Sequence, residues 1–255
     1  MPAFKILGAS WATAKAVSKL LGLADAEGEG LRLEELREGA RKLGLVLFAA
    51  TEGNHGRAVA RMAMYLGIQA RIYIPRMCDS QVKANIESEG AEVVIWDGSY
   101  DDAVLAAKAA AEVHEGGKGL LISDTALVEG DEVAGWIVEG YQTMFEEVEE
   151  QLLELGEEVT HVVTPVGVGS LCQAVVTRFK AAGRREVEVV CVEPVEAACL
   201  KRSLEEGRMV SVEVGYTICS GMCCGTVYVF LLAVEYWRIR RALIGSTSDR
   251  QVRGL

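Results

Sequence analysis

The sequence predicts an α/β fold in two lobes, with parallel-rich sheets flanked by helices. Three observations carry that expectation. Short apolar runs of β type recur along the chain, helical patterns lie between most of them, and two strand-to-helix junctions are glycine-bracketed polar turns. In order, the run Leu45-Val46-Leu47-Phe48-Ala49 predicts a strand. It leads through Ala50-Thr51-Glu52-Gly53-Asn54-His55-Gly56-Arg57 into a helical pattern over 58–64. Further strands are expected over 71–74, 92–96, 120–122, 161–164 and 187–192. Ser99-Tyr100-Asp101-Asp102 has the form of a capping box and opens an Ala-rich helix over 103–113. An amphipathic acidic helix is expected over 144–155 and another helix over 172–182; residues 25–37, rich in Glu and Gly, read as a surface loop running into a helix. The closing stretch 245–250 is polar and is expected to fray.

Composition narrows the function. Half of the 255 residues are hydrophobic and 25% are charged, an ordinary globular balance. The formal net charge of -11 comes without a basic block, so nucleic acid and anionic membrane surfaces are not expected partners. An anionic ligand would have to be held by local dipoles against the overall field. Seven cysteines lack a framework spacing, and the first five residues lack an apolar signal core, so reduced thiols and a cytoplasmic location are expected. Cys219, Cys223 and Cys224 lack the paired spacing and nearby His of a zinc site, and no metal is expected. The apolar run 227–234 is too short to span a bilayer, which needs about 20 residues.

The two turns carry the chemistry. In the first, backbone N–H groups at a helix start are crowded by Thr51, Glu52, Asn54 and His55, more polar groups than a connection needs. Asn54 reads as a ligand contact, a helix N-cap, or both. His55 could orient a bound ring or Glu52, or simply pack in the turn. In the second, Thr164-Pro165-Val166-Gly167-Val168-Gly169-Ser170-Leu171 follows a strand and opens a helix. Its glycines permit close backbone approach, so it is either a phosphate site with Ser170 as an extra donor or a tight turn with no ligand. A dinucleotide fold is a rival, because Gly167-x-Gly169 is followed by a strand ending in Glu193, near where a ribose-binding acid would sit; yet the third glycine of that fingerprint is Cys172.

Taken together, several segments resemble one family. Phe4-Lys5-Ile6-Leu7-Gly8-Ala9-Ser10 resembles the Schiff-base lysine segment of fold-type II pyridoxal-phosphate enzymes, the tryptophan synthase beta-like superfamily. Thr51 to Gly56 resembles their ring-binding turn, and Gly167-Val168-Gly169-Ser170-Leu171 their phosphate cup. Within that superfamily the likeness is to the diaminopropionate ammonia-lyases. The runs Asp124-Thr125-Ala126, Gly135-Trp136-Ile137-Val138-Glu139-Gly140-Tyr141, Val192-Glu193-Pro194 and 217–226 support it, in the same order over residues 4–226. The resemblance implies pyridoxal phosphate as cofactor, with Lys5 as the Schiff-base lysine, Asn54 on the ring oxygen, and Gly167, Val168, Gly169, Ser170 and Leu171 on the phosphate. It implies Asp124 as the base for an L-amino acid, whereas the residues alone leave Asp124 as a helix cap or loop acid. Glu52 stands where the family carries a second aspartate linked to the D-isomer.

The reaction so implied is α,β-elimination of diaminopropionate, or a related amino acid, to pyruvate and ammonia. The partners implied are a small amino-acid substrate and a second copy of the chain in a homodimer. Alternatives are a catalytically incomplete member of the family acting in interactions, a serine/threonine dehydratase-like enzyme, and, last, an NAD-dependent oxidoreductase. The expected layout is a small α/β domain over 46–124, a partial large cofactor-binding domain from 1–45 and 125–226, and a divergent tail over 227–255. The chain is expected to be truncated at both ends relative to the family, with the large domain incomplete.

Overall fold

A computed structural model describes residues 3–23, 32–114, 118–126, 128, 130–180, 187–227 and 244–247. Most of the expected loop over 25–37 and most of the tail over 227–255 lie outside the described residues. Two compact units are present: Met1–Asp124 with Glu132–Gly140, and Thr125–Asp131 with Tyr141–Leu255.

The first unit is built on four parallel strands. In chain order it contains α1 (Lys5–Leu21), α2 (Leu33–Lys42), β1 (Val46–Ala50), α3 (Asn54–Leu66), β2 (Gln69–Pro75), α4 (Ser80–Glu87), β3 (Glu92–Trp96), α5 (Tyr100–Glu112), β4 (Gly119–Leu121) and α6 (Glu132–Gly140). The spatial strand order is β3-β2-β1-β4, and every pairing is parallel. All five residues of β1 are buried, as expected of an apolar strand covered on both faces. Right-handed crossovers put α3 and α5 on opposite faces, because the chain steps from β1 to β2 but returns from β3 to β4 in the other direction. Both helices pack on β1 accordingly. Leu47 and Phe48 are fully buried there, and such side chains contribute about 2 kcal/mol each relative to exposure. The capping box forms as the sequence predicts: Asp102 N–H donates to Ser99 Oγ at 3.1 Å and Ser99 N–H to Asp102 Oδ2 at 2.9 Å. Arg57 and Arg61, one turn apart on α3, both donate to the buried carboxylate of Glu89 and tie α3 to the corner after α4.

Helix α1 was not legible as a helix, because its glycine, alanines and polar residues blur the apolar stripe. It packs through small residues, Gly8, Ala9, Ala12 and Ala16, against α6 and α3. Gly140 makes that approach feasible: a Cβ there would lie 2.6 Å from the Leu7 carbonyl oxygen and 2.9 Å from Gly8 Cα. Residues 1–45 therefore group with 46–124, a different partition from the expected boundary at residue 46. That boundary is kept only as a proposal about folding units.

The second unit contains α7 (Gln142–Leu155), β5 (His161–Pro165), α8 (Ser170–Phe179), β6 (Glu188–Pro194), α9 (Cys199–Glu206) and β7 (Ile244–Thr247). Its strands run β5-β6-β7, all parallel. Arg178 on α8 donates to Glu149 on α7 at 2.5 Å, and Phe145 meets Phe179 edge-on with ring centroids 5.5 Å apart. The expected fraying of 245–250 is corrected over 244–247, which pair with Cys191–Pro194 of β6. Parallel pairing satisfies the open backbone edge of β6, and that backbone demand is invisible to a reading based on side-chain polarity.

Candidate active site

The strand order of the first unit reverses between β1 and β4. In open parallel sheets a ligand crevice forms at such a switch point, outside the carboxyl ends of the strands. The residues that leave those two ends are the Thr51–Gly56 turn after β1 and Ile122–Asp124 after β4. Ile122 N–H continues the pairing by donating to the Phe48 carbonyl at 2.8 Å. Lys5 comes to the same place from the first turn of α1: its Nζ donates to Asp124 Oδ2 at 2.6 Å. Lys5 is 18% exposed and Asp124 only 5%. Two segments distant in sequence thus place one amine against one buried carboxylate.

His55, the second residue of α3, closes the group. Its Nε2–H donates to the Ile122 carbonyl at 2.8 Å, and its Nδ1 lies 3.8 Å from Asp124 Oδ2. Asn54 is the first helical residue and is exposed, while Gly53 takes the N-cap position without a side-chain cap bond. Asn54 is therefore not the cap, and its side chain is free to serve a ligand. Gly53 N–H donates to Thr51 Oγ1 at 2.9 Å, which folds the turn back on itself.

Electrostatics separates the two carboxylates. Burial opposes ionisation of Asp124, but the neighbouring His55 and Lys5 outweigh it and bring its pKa down to about 2. Burial pushes the His55 ring below its usual 6.5, and the Lys5 charge adds to that against the pull of Asp124. A neutral ring carries no charge, so near neutral pH the Lys5 ammonium is the counter-ion that faces Asp124. Glu52 moves the other way: burial, with Asp101 adding repulsion, pushes it up to about 8. At neutral pH Asp124 is a base and Glu52 a protonated acid, the kind of divergence that separates proton acceptor from proton donor.

The glycine turn of the second unit is described by itself. It runs from β5 into α8, and Gly169 holds φ +100°, a left-handed conformation that costs a residue with a Cβ. As the N-cap, Gly169 supplies no side-chain oxygen to the first N–H groups of α8. Ser170 is 4% exposed, and its buried Oγ has no hydrogen-bond partner. Val168 is buried and Leu171 half-buried. An orphaned hydroxyl beside an uncapped helix start fits an anionic phosphate, which would satisfy both.

Glu193 corrects the dinucleotide reading. Its carboxylate is fully buried and accepts N–H bonds from Leu200 at 2.8 Å and Lys201 at 2.9 Å. It caps α9 and is not available to a ribose. A surface groove of about 500 Å³ beside α9, lined by residues such as Arg202, Arg208 and Glu213, contains none of the expected site residues.

Comparison with known proteins identifies the family. The model of the family described as pyridoxal-phosphate dependent enzymes matches residues 3–251. The chain belongs to that family. More particularly, it is 35% identical over 231 residues to the diaminopropionate ammonia-lyase of Salmonella typhimurium (strain LT2), covering 88% of this chain and 56% of the relative. It is similar in structure to the Escherichia coli diaminopropionate ammonia lyase in complex with D-serine, with TM-score 0.79 and 31% identity over 97% of this chain and 60% of that one. A threonine deaminase from T.th. matches with TM-score 0.71 and 27% identity over 99% of this chain and 69% of that one. The chain spans little more than half the length of the curated ammonia-lyase it matches. Among the described residues no helix is long and apolar enough to cross a membrane.

Proposed function

We propose that this chain carries the working residues of a pyridoxal-phosphate-dependent ammonia-lyase that acts by α,β-elimination on diaminopropionate, giving pyruvate and ammonia. The observation that carries the reading is the Lys5–Asp124 contact at the switch point of the sheet, a half-buried amine and a buried carboxylate 2.6 Å apart. The likeness to ammonia-lyases supports the substrate class.

Pyridoxal phosphate, when bound, supplies the electron sink that makes an α-proton of an amino acid removable. Lys5 would hold its carbonyl carbon and Asn54 its ring oxygen; in the second unit, the N–H groups of Gly167 to Leu171 with the Ser170 hydroxyl are suited to a phosphate. Asp124, ionised at neutral pH, accepts the α-proton of the L-substrate. Glu52, protonated at neutral pH, is suited to give a proton to the departing β-amine or to meet it as a hydrogen-bond donor. That assignment replaces a base role for Glu52, whose proton is already in place below pH about 8. The protein's two carboxyl groups thus divide the proton transfers between them. We further propose a cytosolic location, in keeping with seven cysteines that lack a framework spacing, and a homodimer, which the family resemblance implies.

The test is turnover by purified protein supplied with pyridoxal phosphate. Release of ammonia and pyruvate from L-diaminopropionate, faster than from L-serine or L-threonine, is expected. Preference for threonine or serine would move the assignment to the dehydratase reading, which the likeness to threonine deaminase favours. Folded protein that binds the cofactor but turns over none of the three would overturn the enzymatic reading.

A further inference from the structure

The His55 ring is bound at one nitrogen and orphaned at the other. Its Nε2–H is committed to the Ile122 carbonyl at 2.8 Å, so in the neutral ring Nδ1 is a bare acceptor. That Nδ1 is buried and has no hydrogen-bond partner. It faces Asp124 Oδ2 at 3.8 Å, the same oxygen that receives the Lys5 ammonium at 2.6 Å. Buried nitrogens without partners are rare, and here the nearest group is another acceptor. Two acceptors face each other stably only when a proton can come between them. A side chain kept solely to staple α3 to the end of β4 through Nε2 would not need to turn its second nitrogen toward the carboxylate.

The chemistry of Lys5 supplies the occasion. An ammonium is not a nucleophile, so Lys5 must lose one proton before it can engage a carbonyl. When that happens Asp124 loses its counter-ion while it remains buried, and an uncompensated buried carboxylate is strongly disfavoured. We infer that His55 is the proton partner of Asp124: one proton passes from Lys5 Nζ through Asp124 Oδ2 to His55 Nδ1, so that an imidazolium replaces the ammonium as the counter-ion of Asp124. One Nζ–H bond breaks, one Nδ1–H bond forms, and the carboxylate ends as it began. No electrons move and the charge of the three groups together is unchanged. The distance to close is about 1 Å, from the observed separation to an ordinary N–H···O length, and departure of Nζ frees Oδ2 to make that move. His55 acts through Asp124, which makes it a positioning residue. The charged groups facing the ring are Asp124, from the segment after β4, and Lys5, from α1. Arg57 on its own helix is engaged by Glu89. The inference rests on the reading of Lys5 as the cofactor-bearing lysine.

Its test begins without cofactor. The chain has 3 histidines, few enough to assign His55 by nitrogen-15 NMR of the imidazole rings. In the unaltered protein His55 is expected as the neutral Nε2–H form across roughly pH 6–8. In Lys5→Met, and equally in Lys5→Gln, which keeps a hydrogen-bond donor near Asp124, His55 is expected to take up a proton in that range. In the double variant Lys5→Met/Asp124→Asn it should return to neutral. A ring that stays neutral in both folded Lys5 variants overturns the inference, as does a ring already protonated in the unaltered protein. A second arm uses His55→Gln, whose amide can still donate to the Ile122 carbonyl. The rate at which pyridoxal phosphate develops its Schiff-base absorbance should then need a higher pH, by about one unit or more, with the final band intact. An unchanged pH profile contradicts the relay. Absence of the band from unaltered protein would sink the cofactor reading of Lys5 while leaving the NMR arm to decide on His55.

Discussion

Lys5, His55 and Asp124 meet around one oxygen atom, and each is reached by a different segment of the chain. Replacement of Asp124 by Asn keeps a hydrogen-bond acceptor for Lys5 but removes the base. Ammonia release from L-diaminopropionate should fall about 10²–10⁴-fold while cofactor absorbance remains, measured by steady-state kinetics. Equal turnover would remove Asp124 from proton transfer. Glu52 offers a pH signature. Its pKa rises from 4.5 in the unfolded chain to about 8 in the fold, so between those values the folded state holds a proton that the unfolded state has lost. Glu52 therefore favours folding fully below 4.5, and its contribution fades as pH rises through about 8. Urea midpoints should decline across that window in the unaltered protein and decline less in Glu52→Gln; parallel curves would contradict the shift. Asp124 has the opposite sign, stabilising above 3.8 and losing that contribution as pH falls toward about 2. Lys5 and Asp124 were legible in the sequence only by likeness, since a lysine near a terminus and an acid after a short strand are ordinary surface features alone. The protonation of Glu52 and the pairing of His55 with Asp124 were not legible, because the first depends on burial beside Asp101 and the second on a contact with a segment distant in sequence.

At the scale of elements, apolar patterning was sufficient for the strands and for the helices with a clear stripe. β1 to β6 fall within a few residues of their expected places, and the capping box before α5 forms as written. Helices α1, α4, α6 and α9 escaped because they are short or rich in small residues. α9 is the clearest case: Glu193, the final acid of a strand, supplies its cap from outside the helix, to the N–H groups of Leu200 and Lys201. The contact of α1 with α6 places Lys5, and it depends on Gly140. Gly140→Ala would gain about 1 kcal/mol in helix propensity but would press a methyl group into a backbone carbonyl that cannot turn aside. Overpacking of that kind costs about 1–3 kcal/mol, so a net loss of about 1 kcal/mol in urea-derived stability is expected, with weakened cofactor uptake. A variant as stable as the original would show that α1 and α6 are not held so closely.

For the molecule as a whole, the net charge of -11 opposes the approach of an anionic cofactor. The attraction comes only from short-range groups such as the Ser170 hydroxyl and the start of α8. Salt screens the long-range repulsion first, with a Debye length that falls from about 30 Å at 0.01 M to about 8 Å at 0.15 M. Association of pyridoxal phosphate, followed by stopped-flow absorbance, should therefore quicken over that range; a slowing would point to a basic entrance that the sequence does not show. The two sheets were foreseen as parallel and helix-flanked, but which residues group into each unit depends on how α1 and α2 pack, which periodicity does not encode. The proposed function requires that this chain carry pyridoxal phosphate on Lys5. The most direct measurement is the absorbance spectrum of purified protein after the cofactor is added and the excess removed, repeated with Lys5→Ala and with Lys5→Arg, which keeps a cation against Asp124. A Schiff-base band in the unaltered protein that is absent from both folded variants is the predicted result. A band that persists in the variants, or none in the folded unaltered protein, would contradict it.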